Sequence, residues 1–503
     1  MTKLDTSEIN KPPGLSWGLI CLQYILLALC LCVIAIRATF TEGPTMRPST
    51  MADNLANNLY GLSVSSVLIF AFVLWFLLSF CSKRFFYRPT GIEVGLGLFC
   101  LAAIIAGFAA ADKRLTITSV AILLAPPLMA ILLVQILDSP SKIKLVLAVI
   151  AALGVVSTYQ CAEQFFISNH ATIEQYERSP QAILEPLGIE PGTFQQFLFE
   201  HRLYSKGIQG FFTTSNSAGS FSLMASFAAI ALLIEKLKVL SFPRNLSRAA
   251  GGEQSRTRSR ERESILNIAL CSIAVAAVIF GLVLTRSKGA IIGAIFAAAV
   301  FTALLCFGKW LYAHKKAILT VCVFLFIAAV GAVISYGLKH GRLPGGSSML
   351  VRWQYWHASA KLFADHPLTG VGPGNFALFY TRYKPPAALE SVADPHNFLL
   401  SILTQYGPLG LIGFLAMILI PLWRIIPFSH EDAKSQRNHK LEKTWCLCAF
   451  VAKRDNLALL IIISLALLLV RPLLMPLPPA DNIDVVIYLI VTLYLTPIAI
   501  FII

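Results

Sequence analysis

Three basic residues stand where this 503-residue chain could do chemistry: Arg286 in LVLTRSKGAIIG, Arg352 opening RWQYWHASAKLFADHPLTGVGPGNF, and His396 in SVADPHNFLLSIL. A guanidinium is planar, permanently charged and rich in donors, so it grips oxyanions through paired hydrogen bonds. Held in place, such groups stabilise negative charge as it develops on a leaving group. Histidine, with an intrinsic pKa of about 6.5, can take a proton from a hydroxyl nucleophile, a contribution of roughly 10²–10⁴-fold. Guanidiniums close to an imidazole favour its neutral, base-competent form.

Each residue also has a plainer use. Arg286 sits at a tight turn between two apolar runs, and both it and Lys288 could simply snorkel to the headgroups. After Arg352, the residues Trp353, Trp356 and Ala360 fall at helical spacing. That segment reads as an amphipathic helix at the membrane interface, its aromatics serving as belt anchors or as sugar platforms. Around His396, Asp394 as N-cap and Pro395 at the first helical position would start a helix without using the histidine. Asp394 could instead orient the imidazole. Residues 167–210 hold Glu174, Glu177, Glu185, Glu190 and Glu200, so a carboxylate base stays open as an alternative. LTGVGPGNF is not G-x-G-x-x-G and follows no buried strand, so the dinucleotide reading fails. Gly370, Gly372 and Gly374 with Pro373 make a compact turn, which could still offer backbone N–H groups to an anion.

The elements that must carry these residues are membrane helices. The chain is 56% hydrophobic and 13% charged, with a mean hydropathy of +0.71, whereas soluble chains carry about 25% charged residues. Apolar runs long enough to span a bilayer recur throughout. The expected fold is an all-α polytopic membrane protein, one integral domain over 1–503. About 12 spans are expected: 15–36, 59–80, 91–111, 115–137, 145–166, 211–234, 265–285, 289–308, 317–337, 398–422, 455–475 and 484–503. The first is too long for a signal-peptide core and is expected to be a retained anchor. With these spans, 25 Lys and Arg fall on one side and 15 on the other. The positive-inside rule then puts both termini in the cytoplasm and the loops 167–210 and 338–397 outside. All three basic residues share that outer side. The net charge of +15 is explained by this bias, so no nucleic-acid partner is expected. The Ser/Arg/Gly-rich stretch within 235–264 is expected to be a flexible cytoplasmic linker touching anionic lipid. Arg471 lies inside an expected span, where an arginine is costly and is either functional or snorkelling. Cysteines sit mostly in apolar runs, with no disulfide framework or zinc spacing, so neither a metal nor another cofactor is expected.

The order of these motifs resembles a known family. R-x-x-x-W, then D-H-P-L-x-G-V-G-x-G-N-F, then H-N before LLSILTQYGPLGLIGFLAM are similar to the O-antigen ligase and polymerase family from about Gly281 to Met417. Upstream, RLYSKGIQGFFTTSNSAGSFSL resembles the family's earlier outer loop and following helix, with Arg202 and Asn216 in matching positions. The resemblance implies a multi-pass protein of the bacterial inner membrane whose periplasmic loop 338–397 is catalytic. It further implies glycosyl transfer from an undecaprenyl-diphosphate-linked glycan to an acceptor hydroxyl, on lipid A core or another glycan, without a metal or nucleotide sugar. By the same resemblance Arg286 and Arg352 match the family's essential arginines and His396 its essential histidine. Accessory roles fall to Arg202, Asn216, Asn397, Arg471 and Trp356. Within the family, ligase, repeat-unit polymerase and protein O-oligosaccharyl transfer share the motif. A different class, a lipid-linked sugar transporter or flippase, would show broken helices and midplane charges. Here the polar residues gather on one face.

Overall fold

The structure is a computed structural model that describes residues 17–39, 51–81, 87–205, 207–212, 214–241, 254–343, 347–386, 388 and 392–425. Among these residues every regular element is helical. The chain opens with α1 (Trp17–Thr39), α2 (Met51–Cys81), α3 (Ile92–Ala109), α4 (Lys113–Ile136) and α5 (Pro140–Glu163). A π-helical turn, Gln164–Ser168, leads into α6 (Asn169–Arg178), α7 (Pro180–Leu184) and α8 (Phe194–Ser205). The long helices α9 (Ser215–Ser241), α10 (Gln254–Leu284), α11 (Lys288–Ala313) and α12 (Lys315–His340) follow. Last come α13 (Ser347–Asp365), α14 (Phe376–Tyr383) and α15 (Phe398–Ile425).

Nine helices of the described residues are long and apolar enough to cross a membrane. The chain is a multi-pass membrane protein. The expected span 289–308 falls on α11, whose shorter apolar stretch is Lys288–Val300. The expected spans 455–475 and 484–503, and Arg471 with them, lie outside the described residues. The basic linker departs from expectation, because α10 is already helical from Gln254. Past Gly252 the segment has neither glycine nor proline, and its Arg, Glu and Gln residues are good helix formers.

Helix packing divides the chain into two compact units. The first contains the described residues of 58–136 and 300–425 together with those of 17–26. Its centre is α3 against α15, brought together by glycine. A Cβ on Gly95 would stand 2.3 Å from the Met417 backbone N, and one on Gly413 2.6 Å from that of Phe99. Small residues of this kind let membrane helices touch backbone to backbone. Phe99, Ala103, Ile402 and Tyr406 fill the contact. A second core joins α13 to α14 through Tyr355, Ala358, Leu362, Val371, Phe376 and Tyr380.

The second unit holds the described residues of 137–299 with those of 27–57. Here α5, α9 and α10 pack around Ala151, Ala228 and Ala229. Lys144 of α5 and the buried Glu235 of α9 pair at 2.5 Å. Breaking such a pair would strand a buried charge. The stretch expected as the outer loop 167–210 is mostly helical. Tyr176, Leu184, Ile189, Phe199 and Leu203 give α6, α7 and α8 their own core.

Candidate active site

His396 stands just before α15, and the first turn of that helix differs from the expected cap. The helix starts at Phe398, not at Pro395, and its N-cap is Asn397. Asn397 Oδ1 accepts the N–H groups of Leu399 (3.1 Å) and Leu400 (3.3 Å), and its carbonyl accepts the Ser401 N–H at 2.8 Å. Asp394 is thereby freed from capping. Its Oδ1 accepts the His396 backbone N–H at 2.7 Å and lies 3.6 Å from His396 Nδ1. That separation is longer than a direct hydrogen bond, so the carboxylate grips the backbone of His396 and only neighbours its ring. The imidazole side chain is 56% exposed, open to a ligand from one side. On the other side the Tyr355 ring lies 5.4 Å from it. Tyr355 is one helical turn beyond Arg352 on α13, so residues i and i+3 share a face. The first unit thus places Arg352 one turn from the aromatic ring against which His396 rests. Arg352 is half-buried.

The Gly-rich turn sets this arrangement. In α15, Gly407 has φ +69° and breaks the helix ahead of Pro408. Proline lacks an N–H and clashes with the carbonyl four residues earlier, here that of Thr404. The freed Thr404 carbonyl accepts the Val371 N–H at 2.9 Å, and the Gln405 carbonyl accepts the Gly372 N–H at 3.1 Å. The Gln405 side chain takes the Gly374 N–H at 2.6 Å. Gly370, Gly372 and Gly374 all have positive φ, and a Cβ on Gly370 would sit 2.5 Å from the Thr404 carbonyl oxygen. The expectation that this turn offers N–H groups to an anion is corrected, because the broken helix already uses them. Asn375, fully buried, ties the turn to the start of α4. Its Oδ1 accepts the Asp112 N–H at 2.8 Å, and its Nδ2 donates to Thr116 Oγ1 (3.0 Å) and to the Pro373 carbonyl (2.9 Å).

Arg286 belongs to the second unit, at the turn between α10 and α11. Its neighbours Thr285 and Ser287 are buried, whereas Arg286 is exposed. Ser287 caps α11 by accepting the Ala290 N–H at 3.2 Å and donates to Asn216 Oδ1 at 2.8 Å. The Arg286 guanidinium lies over the Phe165 ring, 5.4 Å from its centroid. Among the described residues it has no hydrogen-bond or ion-pair partner, so its donors are free for a ligand.

One backbone feature occurs in each unit. Among the described residues only Arg286 and His396 are non-glycine residues with positive φ, each at +50°. A non-glycine residue in the left-handed region costs about 1–3 kcal/mol and persists only where the surroundings hold it, often at functional sites.

The other expected residues fall elsewhere. Arg202 is on α8, in the α6–α8 lobe. Trp356 packs on the α13–α14 core, and the Trp353 ring abuts Gly337 of α12, so both tryptophans meet protein. Two of the glutamates in 167–210 are engaged: Glu200 accepts the Tyr176 O–H at 2.6 Å, and Glu174 pairs with Arg178. Tyr383 donates to Asp365 at 2.6 Å, and this bond, with some burial, pushes the phenol above its ordinary range. Among the described residues no three His, Cys, Asp or Glu side chains are grouped to hold a metal ion. Tyr355 could have been found from its helical spacing to Arg352. Phe165 carries no sequence signal of its own.

A helical multi-pass membrane protein with a Gly-rich latch on a broken helix, and two strained basic residues, is the class so defined. Residues 273–415, just over a quarter of the chain, match the family model described as O-antigen ligase, and no curated protein matches. Over that segment the chain is similar to an O-antigen ligase domain. Arg286, Arg352 and His396 all lie within the matched segment.

Proposed function

We propose that the protein is an O-antigen ligase-like glycosyltransferase of the bacterial inner membrane, working on the periplasmic side with both termini in the cytoplasm. Its donor is an undecaprenyl-diphosphate-linked glycan and its acceptor a hydroxyl on lipid A core or a similar glycan. The observation that carries this reading is that, among the described residues, Arg286 and His396 are the two non-glycine residues with left-handed backbone, and both lie within the O-antigen ligase match.

His396 Nε2 takes the proton of the acceptor hydroxyl as its oxygen attacks the anomeric carbon of the donor sugar. The sugar–phosphate bond breaks, and its electron pair leaves with the polyprenyl diphosphate. Arg286 and Arg352 stabilise the charge that grows on the departing phosphate, the task a metal ion performs in many other transferases. Asp394 holds the His396 backbone through its N–H and so keeps the residue in place beside the acceptor. A polymerase would use the same steps with another repeat unit as acceptor. Transport is less well supported: α15 is broken, as transporter helices often are, but its freed carbonyls are occupied by the Gly-rich turn and hold nothing for an ion.

The test is glycan transfer by purified protein in nanodiscs, with and without EDTA. Transfer should survive the chelator and be abolished in Arg286→Ala and in Arg352→Ala, with both proteins still accumulating in the membrane. Lysine at either position should restore only part of the activity, since a point charge lacks the paired donors of a guanidinium. EDTA-sensitive transfer, or full activity in Arg352→Ala, would overturn the assignment.

A further inference from the structure

Arg286 is exposed, yet it must be aimed if it is to meet a ligand rather than drift in solvent. Its own turn fixes the backbone. Thr285 and Ser287 are buried on either side, and Ser287 is tied to both Asn216 and α11. None of these contacts reaches the guanidinium. Phe165 does, at 5.4 Å.

Phe165 is presented by the π-helical turn Gln164–Ser168, which interrupts the α5–α6 helix. A π-turn inserts an extra residue and redirects the side chains it carries, and such turns recur at functional sites. Two contacts hold this one. Gln164 Oε1 accepts the N–H groups of Gln209 (3.0 Å) and Gly210 (2.9 Å), pinning the strand of chain that leads into α9. Phe165 itself packs on the buried cluster of Cys161, Ile208 and Leu284. Leu284 is two residues before Arg286, so the aromatic ring and the strained turn share one support.

We infer that Phe165 is a positioning residue for Arg286: its ring face seats the guanidinium and leaves the N–H donors pointed at the donor diphosphate. An aromatic face attracts a cation without consuming its hydrogen-bond donors, which is what a ligand-binding arginine requires. A carboxylate there would have competed with the ligand for the same donors. This role rests on the diphosphate reading above.

The experiment is a double-mutant cycle on binding of undecaprenyl diphosphate to the purified full-length protein in nanodiscs. Phe165→Leu keeps the apolar packing and removes the ring face. An exposed cation–π contact of ordinary strength predicts that it weakens binding about two- to fivefold. In an Arg286→Ala background the same change should have almost no effect, and Phe165→Tyr or Phe165→Trp should bind like the wild type. Equal weakening in both backgrounds would make Phe165 a packing residue and overturn the inference, as would unchanged binding in Phe165→Leu. Wild-type binding in Arg286→Ala would instead refute the diphosphate assignment itself and this role with it. Failure of Tyr and Trp to restore a weakened Phe165→Leu would also count against a seat built on the ring face.

Discussion

Replacing Asn375 by alanine tests how the Gly-rich turn is held. The side chain is fully buried, accepts one backbone N–H and donates to a hydroxyl and a carbonyl. Without it the Asp112 N–H loses its acceptor, and an orphaned donor costs about 1–3 kcal/mol, with about 1 kcal/mol more for the lost donated bonds. A local penalty of about 2–4 kcal/mol follows. It falls on a turn whose amides at Val371 and Gly372 are protected only while they stay docked on the Thr404 and Gln405 carbonyls. Hydrogen exchange followed by mass spectrometry on the peptide spanning 369–376 reads this directly. If those amides exchange through local opening, their rate should rise about 30- to 1,000-fold, at about 1.4 kcal/mol per factor of ten. Exchange unchanged in Asn375→Ala would show that the turn is held by its glycines and α15 alone, and would refute the latch.

Two further outcomes are expected. Gly407→Ala forces a Cβ into the left-handed region, at about 1–2 kcal/mol, and sets it 2.2 Å from the Leu368 carbonyl oxygen. It should lower the yield of monodisperse protein in size-exclusion chromatography, and a normal yield would contradict the close approach. In a cysteine-free background, membrane-impermeant maleimide applied to intact spheroplasts should label Ala377→Cys and Thr193→Cys but not Ser255→Cys. Labelling at Ser255 would put the basic residues on the wrong side of the membrane.

The membrane helices were legible because their apolar runs match the thickness of a bilayer. Each of the first ten expected spans falls on a helix, from α1 to α15. Local chemistry at helix ends was less legible. Asp394 and Asn397 are both good caps, and only the three-dimensional path shows that Asn397 takes the cap and Asp394 turns back to His396. The expected span 398–422 is a continuous one, whereas Gly407 and Pro408 break it, and the consequence of that break depends on a partner over 30 residues earlier, the Gly-rich turn. That long-range pairing also explains why the turn's N–H groups are spent. The π-turn under Arg286 was invisible for a similar reason: nothing in QFFIS distinguishes it from ordinary helix, and tertiary contacts through Gln164 and Phe165 select it. Arg286, Arg352 and His396 are singled out by residue type, expected side of the membrane and motif order. The left-handed backbone at two of them is not.

The most direct measurement is on His396→Ala, with donor binding and glycan transfer followed on the same preparation. If His396 is the general base and the arginines hold the diphosphate, binding of the lipid-linked donor should stay within about twofold of wild type while transfer falls by roughly 10²–10⁴-fold. Transfer at the wild-type rate would contradict the assignment and turn attention to the glutamates of 167–210. Donor binding lost together with transfer would contradict it as well, by making His396 part of the donor's grip and not the base.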